Sequence, residues 1–129
     1  MTQTIASCLC GQVRIAAKGE PIRTGICHCN DCKKHHGALF YAAAIFPEKA
    51  VRITGETSSF QGRHFCPTCG SSLFAVSGGE VEIHLGCIDG PEAFAPTYEC
   101  WTARRAHWLP DIEGMAQYPK DRTPSAIVT

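Results

Sequence analysis

The amino-acid sequence predicts a mainly β fold. Short runs rich in Val, Ile, Phe and Tyr recur along the chain, and this is the composition of β-strands. Glycine or proline separates most of these runs, as expected of the turns in an all-β sandwich, barrel or folded sheet. Helix signals occur at one short segment. Together these three observations predict many short strands and little helix.

Each element follows from its local pattern. Residues 12–16 alternate polar and apolar side chains, which predicts a half-buried strand, and residues 23–29 have the pattern of a second strand. Residues 30–37 predict one or two helical turns, because Asn30 is a good N-cap and Gly37 ends the segment. Six further strands are predicted over residues 39–46, 51–53, 59–65, 73–76, 81–87 and 97–102.

Length and charge limit the possible functions. The 129 residues, 44% of them hydrophobic, predict one globular domain over residues 1–129, with a short leader before Cys8 and a loosely held end over residues 119–129. Twelve basic and twelve acidic residues leave no net charge, so neither nucleic acid nor a membrane is an expected partner. Because the sequence has neither a secretion signal nor a long apolar run, we expect a cytoplasmic location.

Nine cysteines are many for this length, and their pattern favours metal binding over disulfides. Their number is odd, and most are clustered as CxC, CxCxxC and CxxC, which is the spacing of metal knuckles. The CxxC at Cys66 is followed by Gly70, which permits the tight exit of a zinc knuckle. A disulfide framework is the alternative, and it fits a cytoplasmic protein less well.

The seven clustered cysteines divide naturally between two sites. A closed structural zinc takes four thiolates, and one such set is Cys8, Cys10, Cys66 and Cys69. The triplet Cys27, Cys29 and Cys32 then has three ligands from one strand end and the turn after it. Three protein ligands with an open fourth position are typical of a catalytic zinc. We therefore predict two zinc ions per chain.

Three thiolates also limit the chemistry of the second site. They leave zinc with a net negative charge, which makes it a poor Lewis acid and a poor activator of water. Such an ion suits a soft ligand, and a substrate thiol held there as thiolate is a nucleophile at neutral pH. The expected partners are therefore a small-molecule thiol and a small electrophile such as an aldehyde.

Five segments of the chain resemble the glutathione-dependent formaldehyde-activating family, which also contains centromere protein V. The segments are CLCGQVRI from Cys8, ICHCNDCKKHHG from Ile26, FCPTCGSSLF from Phe65, HLGCIDGP from His84 and CWTARRAHWLP from Cys100. Their order and spacing match the family over about residues 8–110. No single segment is specific, but the combination is.

The resemblance implies a β-tent fold of several small antiparallel sheets with zinc knuckles. It implies a structural zinc on the four cysteines and a catalytic zinc on the triplet, the same division that ligand counting gives. The implied activity is a carbon–sulfur lyase reaction, the addition of glutathione to formaldehyde to give S-hydroxymethylglutathione. Another thiol or another electrophile is compatible with the same site.

Two other functions are compatible with the sequence. In the first, the chain is a zinc-stabilised binding module without catalysis, and a residue such as His36 closes the triplet site. In the second, it is a thiol redox or metal-handling protein whose triplet oxidises reversibly and releases zinc. The sequence also leaves a homodimer open.

Several residues outside the clusters have two interpretations. His35 and His36 follow the triplet, so one of them could be a ligand or a proton carrier, although surface histidines are common. Cys87 and Cys100 stand alone in apolar contexts, as buried thiols do, yet either could approach the open zinc. Two arginines, Arg104 and Arg105, could bind a substrate carboxylate or form a solvated turn.

Overall fold

The mainly β prediction is confirmed. The computed structural model describes residues 2–90 and 94–122, which form two sheets. The smaller sheet has the strand order β1-β2-β5, with β1 at Gln3–Ser7, β2 at Arg14–Lys18 and β5 at Val51–Thr54. In the described residues, no helix has the length and apolar character needed to span a bilayer.

The larger sheet has eight strands and carries the candidate site. Its strands are β3 (Arg23–Cys27), β4 (Tyr41–Pro47), β6 (Ser58–Phe60), β7 (Arg63–Phe65), β8 (Ser72–Ser77), β9 (Glu80–His84), β10 (Tyr98–Cys100) and β11 (Ala116–Gln117). They lie in the order β11-β10-β3-β4-β9-β8-β7-β6. Most neighbours are antiparallel, but β10 runs parallel to both β3 and β11.

The hydrophobic core lies between the small sheet and one face of the large sheet. Val13 and Ile15 come from the small-sheet side, and Phe46 and Ile83 from the central strands β4 and β9. Since side chains alternate along a strand, the residues between these core positions project from the opposite face of the large sheet. That opposite face forms the floor of the cavity described below.

The predicted helix is confirmed as α1, Asn30–His36. The residue before it, Cys29, has extended backbone angles, and its sulfur accepts a hydrogen bond from the Cys32 N–H, so a predicted metal ligand is the N-cap. Gly37 ends the helix with a φ of 67°, a left-handed conformation that glycine adopts without a steric cost. Among the described residues, single turns of 3-10 helix lie at Glu48–Ala50, Leu85–Cys87 and Thr102–Arg104.

The predicted strands differ in their bounds from those in the structure, and three of them show a clear local cause. The strand predicted over 59–65 is a hairpin, because Gln61 and Gly62 both have positive φ and turn the chain. The strand predicted over 81–87 ends at His84, where a 3-10 turn begins. The strand predicted over 97–102 ends at Cys100, since Trp101 has a φ of 57°.

The two ends of the chain were not predicted as ordered elements. The segment before Cys8, predicted as a leader, forms strand β1. Its core-facing residues, Thr4 and Ala6, are polar or small, so the sequence shows no alternation of apolar residues there. The segment from residue 119, predicted to be loosely held, is bound to the rest of the chain in its described part. Lys120 O accepts a hydrogen bond from Trp101 N, and the Asp121 carboxylate accepts one from the Trp101 indole. The rest of that end, residues 123–129, lies outside the described residues.

Candidate metal centres

The first candidate centre is the four-cysteine cluster, Cys8, Cys10, Cys66 and Cys69. The four sulfurs lie within 4.8 Å of one another, with Cys8 Sγ 3.6 Å and Cys66 Sγ 3.7 Å from Cys10 Sγ. A tetrahedron with zinc–sulfur bonds of about 2.3 Å has sulfur–sulfur edges of about 3.8 Å. The sulfur spacing and the thiol donor set therefore fit a tetrahedral ion such as zinc.

Local hydrogen bonds orient these sulfurs. The Cys66 sulfur is fully buried and lies 3.2 Å from the Gln12 side-chain nitrogen, which donates to it, while Val13 N donates to the Cys8 sulfur at 3.3 Å. A hydrogen bond from the Ser71 hydroxyl is the largest of the effects that lower the pKa of Cys69 to about 5. Donors directed at sulfur stabilise the thiolate, which is the form that binds metal.

The second candidate centre is the triplet. Cys27 ends β3, Cys29 caps α1 and Cys32 lies in its first turn, and their sulfurs lie within 4.8 Å of one another. A hydrogen bond from Cys32 is the main cause that lowers the pKa of Cys27 to about 6, and the same hydrogen bond raises the pKa of Cys32. These three thiols are therefore close enough to share one positive ion.

Within residues 2–90 and 94–122, no fourth ligand joins the triplet. His36 was the candidate for that position, but its Nδ1 lies 3.0 Å from the Ser72 hydroxyl, which also contacts His84 Nδ1 at 3.0 Å. His35 instead lines the cavity onto which the triplet opens. The observed arrangement has three sulfurs and an open side, so it does not support a site closed by histidine.

The cavity has a volume of about 470 Å³ and lies on the face of the large sheet opposite the core. All three triplet cysteines line it at one end. The cavity also has a charged lining that the sequence did not predict, and it includes Arg23, Arg63, Glu82 and Arg122. Alternation along β9 could have indicated Glu82, because its neighbours Val81 and Ile83 are apolar core residues, but the arginines come from separate strands and loops that only folding brings together.

The two arginines proposed to bind a carboxylate do not line the cavity. Arg105 is mostly buried, and its guanidinium donates to Glu99 Oε1 at 3.2 Å and to the carbonyl oxygens of Leu109 and Pro110. Arg104 is exposed on the 3-10 turn, where its carbonyl accepts a hydrogen bond from Lys33. Arg105 therefore binds a carboxylate of the protein itself.

A buried polar network supports the loop that carries the triplet. His28, between two of the triplet cysteines, points away from them and contacts Glu99 Oε1 at 2.7 Å, and both side chains are almost fully buried. Gln117 donates to Glu99 Oε2 at 3.0 Å. Although burial acts to raise it, hydrogen bonds from Gln117, His28 and Arg105 lower the pKa of Glu99. The carboxylate is thus held as a charged anchor beneath the loop.

The two isolated cysteines differ in position. Cys87 packs against the core, where burial raises its pKa to about 12 and its sulfur donates to the carbonyl oxygens of Leu73 and His84. Cys100 pairs in register with Cys27 and lines the cavity, and burial is the largest of the effects that raise its pKa to about 11. Neither belongs to a metal cluster within the part of the chain that the structure describes.

The chain is similar to known proteins in sequence and in fold. Residues 3–104 match the family described as glutathione-dependent formaldehyde-activating enzyme. The chain belongs to this family. A crystal structure of a Rhodobacter sphaeroides protein has a similar fold, with a TM-score of 0.53 and 20% sequence identity over 69% of this chain and 89% of that one. The family match includes both cysteine clusters and ends at Arg104.

Proposed function

We propose that this chain is a zinc-dependent carbon–sulfur lyase that adds a thiol to formaldehyde or a similar small electrophile. Membership of the formaldehyde-activating family supports the reaction class. The observation that carries the proposal is the triplet, three sulfurs within 4.8 Å that open onto a cavity and lack a fourth protein ligand among the described residues. We assign a structural zinc to the four-cysteine cluster and a catalytic zinc to the triplet. Glutathione is the first thiol to test.

The reaction needs few functional groups. Cys27, Cys29 and Cys32 would hold the zinc ion, which would supply a position at which a substrate thiol loses its proton at neutral pH. The reaction forms a bond between the thiol sulfur and the carbonyl carbon, and the proton lost by the thiol is replaced by one taken up at the carbonyl oxygen, so no leaving group is released. Tyr41 lies opposite Cys27 and lines the cavity, where its hydroxyl can donate a hydrogen bond to that oxygen. The cavity walls orient both reactants.

The test is the zinc content and the rate of adduct formation, measured on the wild-type chain and on Cys29→Ala. We expect two zinc ions per wild-type chain and one in the variant. The rate of formation of S-hydroxymethylglutathione, measured by NMR exchange, should exceed the uncatalysed rate only in the wild-type protein. Cys100→Ala is the matched control, because Cys100 lines the same cavity but lies outside the triplet cluster.

Two results would count against this function. If the wild-type chain holds two zinc ions but gives only the uncatalysed rate with every thiol tested, a binding module without catalysis is favoured. A triplet that releases zinc and oxidises reversibly under mild conditions favours the redox or metal-handling alternative.

A further inference from the structure

The pairing of the strands that line the cavity shows how far apart its two ends are. At one end, Cys27 pairs with Tyr41 on β4 and with Cys100 on β10. At the other end, Ile45 on β4 pairs with both Arg23 on β3 and Glu82 on β9. Cys27 lies four positions after Arg23 on β3, so the two rows are about 13 Å apart along the extended strand. A molecule bound at both ends must therefore be extended.

The far end of the cavity contains a carboxylate without a partner. Glu82 lines the cavity, and its strand neighbours on the two sides are the apolar Ile45 and Ala75. Among residues 2–90 and 94–122, no side chain forms an ion pair or hydrogen bond with its carboxylate. The other acid in the lining is Asp121, which already accepts a hydrogen bond from Trp101.

The nearby Arg23 does not form an ion pair with Glu82. The two terminal nitrogens of Arg23 lie 2.7 and 3.2 Å from the two carboxylate oxygens of Glu80, so this guanidinium is engaged elsewhere. Burial raises the pKa of Glu82, and the charge of Arg23 only partly offsets this effect. A carboxylate in an apolar wall is unfavourable unless a cation or a hydrogen-bond donor pairs with it. Its position in the cavity means that a bound molecule can supply the partner.

We propose that Glu82 binds an ammonium group of the thiol substrate and thereby selects an extended peptide thiol. This inference rests on the proposed function, because it places the substrate sulfur at the triplet. The ammonium group must then lie on the order of 10 Å from the sulfur, given the length of the strand between the two rows. A small aminothiol such as cysteine is too short to reach both ends. The arginines in the lining favour a substrate that also carries carboxylates.

The test compares glutathione with N-acetylglutathione, which keeps the thiol but lacks the ammonium group. Binding to the zinc-loaded full-length protein is measured by calorimetry, so the readout does not depend on turnover. In the wild-type protein, acetylation should weaken binding by roughly tenfold to a hundredfold, the usual contribution of a charge-assisted hydrogen bond. Glu82→Gln should weaken glutathione binding by a similar factor, and acetylation should then have no further effect.

Two controls isolate this contact. Glu48→Gln makes the same chemical change at an exposed side chain that neither lines the cavity nor holds one of its arginines, so it should keep the preference for free glutathione. Cysteine should bind the wild-type protein and Glu82→Gln equally. Zinc content and the far-ultraviolet circular dichroism spectrum verify that each variant is folded and loaded.

The outcomes separate this inference from the proposed function. The role of Glu82 is overturned if acetylation weakens binding equally in wild type and Glu82→Gln, or if it weakens binding in neither protein. It is also overturned if neither peptide binds. Catalysed adduct formation with both peptides at the same rate overturns it as well, yet leaves the lyase function intact. Zinc-loaded protein without turnover of any thiol contradicts the function itself.

Discussion

The four-cysteine cluster joins parts of the chain that are 56 residues apart, whereas the triplet lies within one six-residue segment. The first cluster connects the turn before β2 to the knuckle between β7 and β8. Cys8 and Cys66 belong to the hydrophobic core and Cys69 packs against it, whereas Cys10 is exposed. The second lies at the end of one strand and opens onto the cavity. One chain thus contains a long-range cluster and a local one.

This difference predicts that the four-cysteine cluster stabilises the fold and that the triplet contributes little to stability. A ligand stabilises a fold to the extent that it binds the folded chain better than the unfolded one. Four thiols from distant segments come together only on folding, so an ion there stabilises the fold strongly. Three thiols in CxCxxC spacing stay close in the unfolded chain too, and an ion there contributes little to folding. Substitutions in and around the two clusters should therefore differ in how much they destabilise the fold.

Cys66→Ala should have the largest effect. It removes a fully buried sulfur from the four-cysteine cluster, and the structural ion should be lost with it. We expect the free energy of unfolding to fall by at least about 5 kcal/mol, enough to unfold a marginally stable domain. Urea denaturation and zinc content measure this. Cys100→Ala is the control. If Cys66→Ala has the same denaturation midpoint as this control, the long-range cluster does not stabilise the fold.

Glu99→Ala should have the second-largest effect. It removes the anchor beneath the triplet and leaves His28 and Arg105 without their buried partner. Breaking a buried ion pair by removing one member costs about 3–5 kcal/mol. Chemical denaturation measures the loss, and Glu113→Ala, at an exposed position, is the control. Equal stabilities of the two variants would mean that the network is not a structural support.

His84→Gln should reduce the sensitivity of the fold to acid. Burial is the main cause that lowers the pKa of His84 from its usual 6.5 to about 3, so below pH 6.5 the unfolded chain binds a proton that the folded chain does not. The wild-type protein therefore loses stability as the pH falls through this range. Between pH 7 and 4.5, it should lose about 2–3 kcal/mol more than the variant. Denaturation at both pH values measures this, and the exposed His107→Gln should behave like the wild type.

Cys29→Ala should have the smallest effect on stability, although we expect it to abolish activity. The variant loses the sulfur that caps α1, and loss of an N-cap costs about 1 kcal/mol. Cys29→Ser keeps an acceptor at this position and should cost less. Urea denaturation of the three proteins measures the difference. A loss as large as that of Cys66→Ala would break the comparison, because the local cluster would then also be structural.

Sequence spacing was enough to predict how the cysteines are grouped and which segment is helical. The CxCxxC, CxC and CxxC patterns are local, and the cap at α1 is encoded by adjacent residues. The cavity was not predictable in this way, because Arg23, Glu82 and Arg122 meet only through the strand order of the large sheet. Strand β1 was not predicted for a similar reason. It is recognised by its hydrogen-bonded pairing with β2 and not by a pattern in its own residues.

The network at Glu99 extends the site beyond the part of the chain that matches the family. The match ends at residue 104, but two of the three side chains that hold Glu99 follow that point, Arg105 and Gln117. A chain cut at residue 104 would leave a negative charge buried beneath the triplet with one partner in place of three. Substitutions after residue 104 can therefore change how rigidly the triplet loop is held without altering any of the three candidate ligands.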